Sequence, residues 1–114
     1  MRDDETPAAP PAPGDRPDHA RLLNIARAIQ TPFRPHAALA VNQATLRVVK
    51  FRGRFPQWHT HDADECYVVL EGEMVVELEA GDAPRLGPGD AYVVRAGVDH
   101  RPRALPTATV LLVT

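Results

Sequence analysis

The 114-residue chain is the size of one domain and long enough for one modest core. Its 13 Lys and Arg against 15 Asp and Glu leave a formal charge of −2, with the cations scattered, which excludes the basic face that nucleic-acid binding needs. A lone cysteine, Cys66, excludes an internal disulfide and any CxxC pair, and no apolar run approaches the roughly 18 residues of a membrane span, so the composition predicts a soluble cytoplasmic protein.

Residues 1–17 contain Pro7, Pro10, Pro11, Pro13 and Pro17 among small and charged residues. Such a segment buries too little apolar surface to offset its ordering entropy and is expected to be a disordered tail. It also lacks the basic region and apolar stretch of a secretory signal. Residues 18–36 read as a short helix and linker, starting at "DHARLLNIARAI". Asp18 is placed to cap it, and Leu22, Leu23, Ile25, Ala26 and Ile29 form a broad apolar side at helical spacing. "TPFRP" stops the helix, which is expected on the outside of the domain or against a second subunit.

Residues 37–114 are assigned to one β domain. From Ala44 onward, "ATLRVVKF", "FPQWHTH", "ECYVVL", "EMVVELEA", "APRL", "AYVVR" and "TATVLLVT" are short, rich in valine and aromatics, and separated by turn signals such as "EGE", "AGD" and "GPGD". No long helix lies between them. The pattern predicts an all-β sandwich or barrel rather than a βαβ fold.

One cluster carries chemistry. In a strand, alternate side chains share a face, so His59 and His61 would point the same way with Cα atoms roughly 6–7 Å apart. Glu65 opens the next strand after the polar turn "DAD", and a chain reversal there returns its carboxylate to the same pocket. Parity puts Tyr67 and Val69 on the Glu65 face and Cys66, Val68 and Leu70 behind it. The natural fourth ligand is His100, at the end of the strand–turn unit "GPGDAYVVRAGVDH".

Gly53, His59-Thr-His61, Glu65 and Gly72 follow the spacing of the first cupin motif without a gap, and Gly89-Asp90, Gly97 and His100 resemble the second, partly degraded one. The sequence therefore resembles the small single-domain cupins from about Ala44 to Thr114, and more loosely back to the helix. The resemblance implies an all-β cupin jelly-roll barrel with a short N-terminal helix. It also implies a divalent transition metal (Fe, Mn, Ni, Co or Zn) held by His59, His61, Glu65 and His100. Such a site leaves coordination positions open for a small-molecule ligand. Arg95 stands where the family pattern has proline and Ala104 where it ends in asparagine; neither position is a ligand in the family, so the change bears on turn geometry. The function implied is a metal-dependent oxygenase or isomerase/lyase, with a metal-dependent binding or sensing module as the alternative. No separate acid or base is evident besides Tyr67.

Around the cluster, Phe55 and Gln57 share the ligand face and Trp58 points away toward a core or subunit contact. Asp62, Asp64 and Asp99 are taken as turn residues and Arg101 and Arg103 as solvated. "EMVVELEA" reads as a half-exposed strand with Met74, Val76 and Leu78 inward and a solvated glutamate face. A homodimer is expected, covering the helix and a sheet edge.

Overall fold

The structure is a computed structural model that describes residues 17–114. The expected proline-rich tail, apart from Pro17, lies outside the described residues. Helix α1 spans Leu22–Ala28. Its N-cap is Arg21, extended and without a side-chain cap bond, so Asp18 does not cap it. A capping side chain must reach the second or third helical N–H, and Asp18 lies too far upstream to do so. Ala26 and Ile29 pack with Ala38 and Val48, flanked by Leu22, Ile25, Leu39 and Leu111. Ala26 and Ile29 are thus covered by the helix's own domain, while Leu22, Leu23 and Ile25 stay half-buried.

Six strands follow: β1 His36–Val41, β2 Ala44–Arg54, β3 Glu65–Leu78, β4 Arg85–Leu86, β5 Ala91–Val94 and β6 His100–Val113. They form one antiparallel sheet in the order β1-β2-β6-β3-β4, with β5 also on β3. β1 precedes the first strand that the valine-rich pattern announces, because "HAALAV" is half alanine.

Two expected strands, "ECYVVL" and "EMVVELEA", are one. The "EGE" signal makes a bend in β3 instead of a reversal, with the pairing to β6 shifting between Val69 and Glu71 and between Gly72 and Met74. Gly72 has φ +78, and a Cβ there would lie 2.2 Å from the Thr107 carbonyl oxygen. Only glycine lets β3 bend while β6 crosses this closely.

The inward faces close on one core. Val49 and Phe51 of β2, Tyr67, Val69, Met74 and Val76 of β3, Leu86, Val94, and Ala104, Ala108, Val110 and Leu112 of β6 form a single buried cluster. Every strand but β1 contributes, so the sheet curls around its own interior as an all-β jelly roll. The alternation foreseen for β3 holds: Glu65, Tyr67 and Val69 are buried while Cys66, Val68 and Leu70 are half-buried. The glutamate face of β3 is not simply solvated. Glu77 binds Arg54 and Arg101 at 2.9 Å and Arg103 at 3.2 Å, and Arg101 also lies over the Trp58 ring at 4.3 Å from its centroid. Among the described residues no helix is long and apolar enough to cross a membrane.

Candidate metal centre

The segment between β2 and β3 is not the regular strand expected of "FPQWHTH"; within it only His59 makes a β-bridge, to His100. Pro56 interrupts the donors that a ladder needs. Four backbone bonds still lay this segment against the start of β6 and the turn before it: Phe55 N–H to Pro102 O at 2.8 Å, the reciprocal His59–His100 pair at 3.0 Å each, and Gly97 N–H to His61 O at 3.0 Å. That register sets His59 directly beside His100. Glu65, the first residue of β3, enters from the neighbouring strand.

His59, His61, Glu65 and His100 each offer a donor atom, and these atoms all lie within 4.8 Å of one another. The rings of His59 and His100 are 4.3 Å apart, those of His59 and His61 4.9 Å, and those of His61 and His100 5.3 Å. Glu65 Oε1 sits 3.5 Å from His61 Nε2 and 3.6 Å from His100 Nε2. These separations exceed a good hydrogen bond. They match the ~3.4 Å between donors that bonds of ~2.1 Å produce around a four-coordinate ion.

The ring tautomers fit the same purpose. His100 Nδ1 lies 2.9 Å from the Val98 carbonyl and His59 Nδ1 3.3 Å from the Gln57 carbonyl. A carbonyl only accepts, so each Nδ1 carries the proton and each Nε2 presents a lone pair to the centre. Burial pushes the Glu65 carboxyl up; N–H donation from His100 and His61, with the Tyr67 hydroxyl, outweighs it and holds the pKa at about 2, and where the neutral rings turn lone pairs inward a cation takes over that role. Three imidazoles and one ionised carboxylate, buried together with lone pairs converging, are a donor set for a borderline transition ion.

Aromatic rings seal the inner side. Phe55 meets His59 edge-on at 5.0 Å, Phe33 meets Phe55 edge-on at 5.3 Å and lies tilted against Phe51 at 5.8 Å, and Tyr67 lies 6.0 Å from Phe51. Phe55 is therefore the wall beside His59, on the side where sequence parity puts it. Gln57 is exposed, and only its carbonyl reaches the site.

The outer side is open. A cavity of about 290 Å³ is lined by Thr60, His61, Asp62, Ala63, Asp64, Glu65 and Thr114, at the small end of ligand sites. Asp64 accepts from Ala96 N–H at 2.9 Å and pairs with Arg95 at 3.0 Å. Those contacts, with the Ala96 bond foremost, lower its pKa. Arg95, the residue in place of proline, thus closes its turn by an ion pair with the ligand loop. Asp62 remains as the exposed carboxylate in the cavity wall.

One residue near the site was not singled out in the sequence. Arg47 of β2 is 7% exposed, and its Nη1 donates to Thr114 Oγ1. It lies on the inward-facing alternation Thr45, Arg47, Val49, Phe51, all buried. Parity within "TLRVVKF" was the signal that could have found it.

This geometry agrees with the comparisons. The sequence model of the cupin domain matches residues 47–114. An uncharacterized protein, YdbB, of Bacillus subtilis (strain 168) is 31% identical over 84 residues, 73% of this chain and 74% of that one. The crystal structure of a cupin-2 domain containing protein from Shewanella frigidimarina NCIMB 400 superposes with a TM-score of 0.78 at 25% identity, covering 83% of this chain and 92% of the other. A hydroquinone 1,2-dioxygenase from Sphingomonas sp. TTNP3 shares the fold, with a TM-score of 0.75 at 17% identity over 94% of this chain and 35% of that one. A jelly roll with a buried three-histidine, one-glutamate cluster defines a class of barrel able to bind a metal. The chain belongs to the cupin domain family.

Proposed function

We propose that the protein is a metal-dependent cupin enzyme, an oxygenase or an isomerase/lyase, acting on a small chelating substrate, with His59, His61, Glu65 and His100 as the ligands. The observation that carries this is the convergence of those four donors beneath an open cavity that touches His61 and Glu65. The ion (Fe, Mn, Ni, Co or Zn) supplies Lewis acidity and, if it is iron, dioxygen activation. The chain's own part is to bind, orient and exclude water. Val98 and Gln57 fix the His100 and His59 rings, and Phe55 and Tyr67 close the inner side, so substrate enters past Thr60 and Thr114. Asp62 supplies the proton acceptor that the sequence reading lacked, since it lines the cavity without serving as a ligand.

A second reading, a metal-dependent sensing module, is favoured by the exposure of Asp62, which leaves proton transfer open to bulk water. Elemental analysis of protein isolated from its host, followed by oxygen uptake with iron-loaded protein and a panel of diols, thiols and 2-oxo acids, separates the two. Stoichiometric metal with turnover supports the enzyme; metal with only a ligand-dependent melting shift supports the sensor. Absence of metal, and of any stabilisation by added ions, overturns both. An ion at a hundred times its Kd should stabilise the fold by ~2.7 kcal/mol. The homodimer belongs to the same proposal: with Ala26 of α1 and its C-cap Ile29 packed on their own domain, it would form at the outer edge of β1, where Val41 is exposed. A monomer mass in sedimentation at micromolar concentration would count against it.

A further inference from the structure

Arg47 is buried in an unusual way. Nine-tenths of its surface is removed from water, its hydrogen bond among the described residues goes to the neutral Thr114 hydroxyl, and its Nε has no acceptor. The surface arginines near the same barrel behave otherwise: Arg54, Arg101 and Arg103 share Glu77, and Arg95 has Asp64. A buried guanidinium with one neutral partner is costly unless another group completes it.

Its position says which group. Arg47 pairs across the sheet with Leu112, which pairs in turn with Tyr67. In the next row Thr45 exchanges backbone bonds with Thr114, whose side chain lines the cavity beside Glu65 and His61. The charge of Glu65 reaches Arg47 across this row. If the metal reading above holds, one carboxylate faces a doubly charged ion, and Arg47 restores the positive excess that Glu65 removes. The other carboxylates in the cavity wall do not correct this: Asp64 is committed to Arg95 and Ala96, and Asp62 is at the solvent rim. A low-dielectric site with surplus positive charge selects an anion.

We propose that Arg47, positioned by Thr114, is the anion-binding residue of the metal cavity, and that the ligand is a small carboxylate chelating the ion through an adjacent oxygen, of the oxalate, 2-hydroxy acid or 2-oxo acid class. The carboxylate completes the guanidinium while its neighbouring oxygen faces the histidines. This inference rests on the metal reading and adds substrate class to it.

The test is titration of cobalt(II)-loaded protein with oxalate, and with imidazole as an uncharged ligand, followed in the visible spectrum. Arg47→Met should bind cobalt at least as tightly as the wild type, having lost a neighbouring cation. It should bind oxalate at least about tenfold more weakly, with imidazole unaffected. Arg47→Lys, which keeps the charge without the fork, should fall between them. Equal oxalate affinity in wild type and Arg47→Met, or parallel loss of oxalate and imidazole, overturns the proposal. If Arg47→Met does not fold, Thr114→Val reads the same contact, and unchanged oxalate binding there overturns it. A wild type that takes up no cobalt overturns the metal reading instead. Thermal shifts of metal-free wild type and Arg47→Lys with oxalate then decide the anion site, and no stabilisation in the wild type overturns that too.

Discussion

Two glutamates on β3, Glu65 at its start and Glu77 near its end, are both held at a pKa of about 2, yet they do different work. Glu77 is lowered first by its bond to Arg54; burial opposes as the next influence in size, and Arg101 and Arg103 add further lowering. Its contacts, 2.9–3.2 Å, are closed hydrogen bonds. For Glu65 burial is the largest influence and raises the pKa, and the histidines that overcome it stand at 3.5 and 3.6 Å. One glutamate is clamped; the other stands back from its partners by a gap the size of an ion's coordination shell. A depressed pKa marks both and distinguishes neither. The spacing of the partners does.

The largest effect that tests this contrast is on metal uptake. Glu65→Gln, His59→Ala and His61→Ala should each reduce affinity by at least about 100-fold, read by elemental analysis after gel filtration, because each removes one of four donors. Glu77→Gln should leave uptake unchanged. Loss of metal in the Glu77 variant, or full occupancy in the Glu65 one, would break the comparison.

Next in size is Gly72→Ala, at the bend between the two glutamates. The added Cβ meets the Thr107 carbonyl at 2.2 Å in a backbone with φ +78, so the two strands must part. Destabilisation of ~3 kcal/mol or more is expected in urea denaturation. A variant as stable as the wild type would show that the halves of β3 are not coupled through this crossing.

Glu77→Gln should cost ~1 kcal/mol, since three cations share the carboxylate but Arg54 is half-exposed and screened. The sign with pH follows from a folded pKa below the ordinary carboxyl value of 4.5. The contribution is complete above about pH 4.5 and disappears as pH falls toward 2. Wild type and variant should therefore converge in stability at the acid end, and a difference that persists there would assign the effect to packing.

How legible these features were in the sequence depended on whether they were local. The cluster was readable because His59, His61 and Glu65 sit close in sequence and His100 closes a glycine turn. The route by which they meet was not, since the expected strand over "FPQWHTH" is an irregular segment held by backbone bonds to residues 97–102. The inward alternation of β3 was readable from its period of two, but its continuity was not, because a glycine signal reads the same for a bend as for a reversal. Glu77, taken as solvated, needs arginines from β2 and β6 that only the folded sheet brings together. Arg47 shows the converse: its parity was in plain view, and a cation in a strand simply draws the default of a surface residue.

The smallest effect belongs to the pair that replaces the family's proline turn. Asp64 joins Arg95 and Ala96 to the loop carrying His61, while Gly97 N–H bonds the His61 carbonyl. The turn and the His61 loop are thus tied twice, by one backbone bond and by the Asp64 carboxylate, which accepts from both Arg95 and Ala96. Asp64→Ala removes the second tie only, so cobalt should still bind, with affinity lowered about threefold, less than the loss of a direct partner of a ligand would bring. Arg95→Ala should do less, because the Ala96 bond to Asp64 remains. Adding it to Asp64→Ala should change nothing further if the two act as one unit. Independent, additive losses would instead mean that Arg95 acts on the cavity by its charge, and the likeness between this ion pair and the Glu77 clamp would fail.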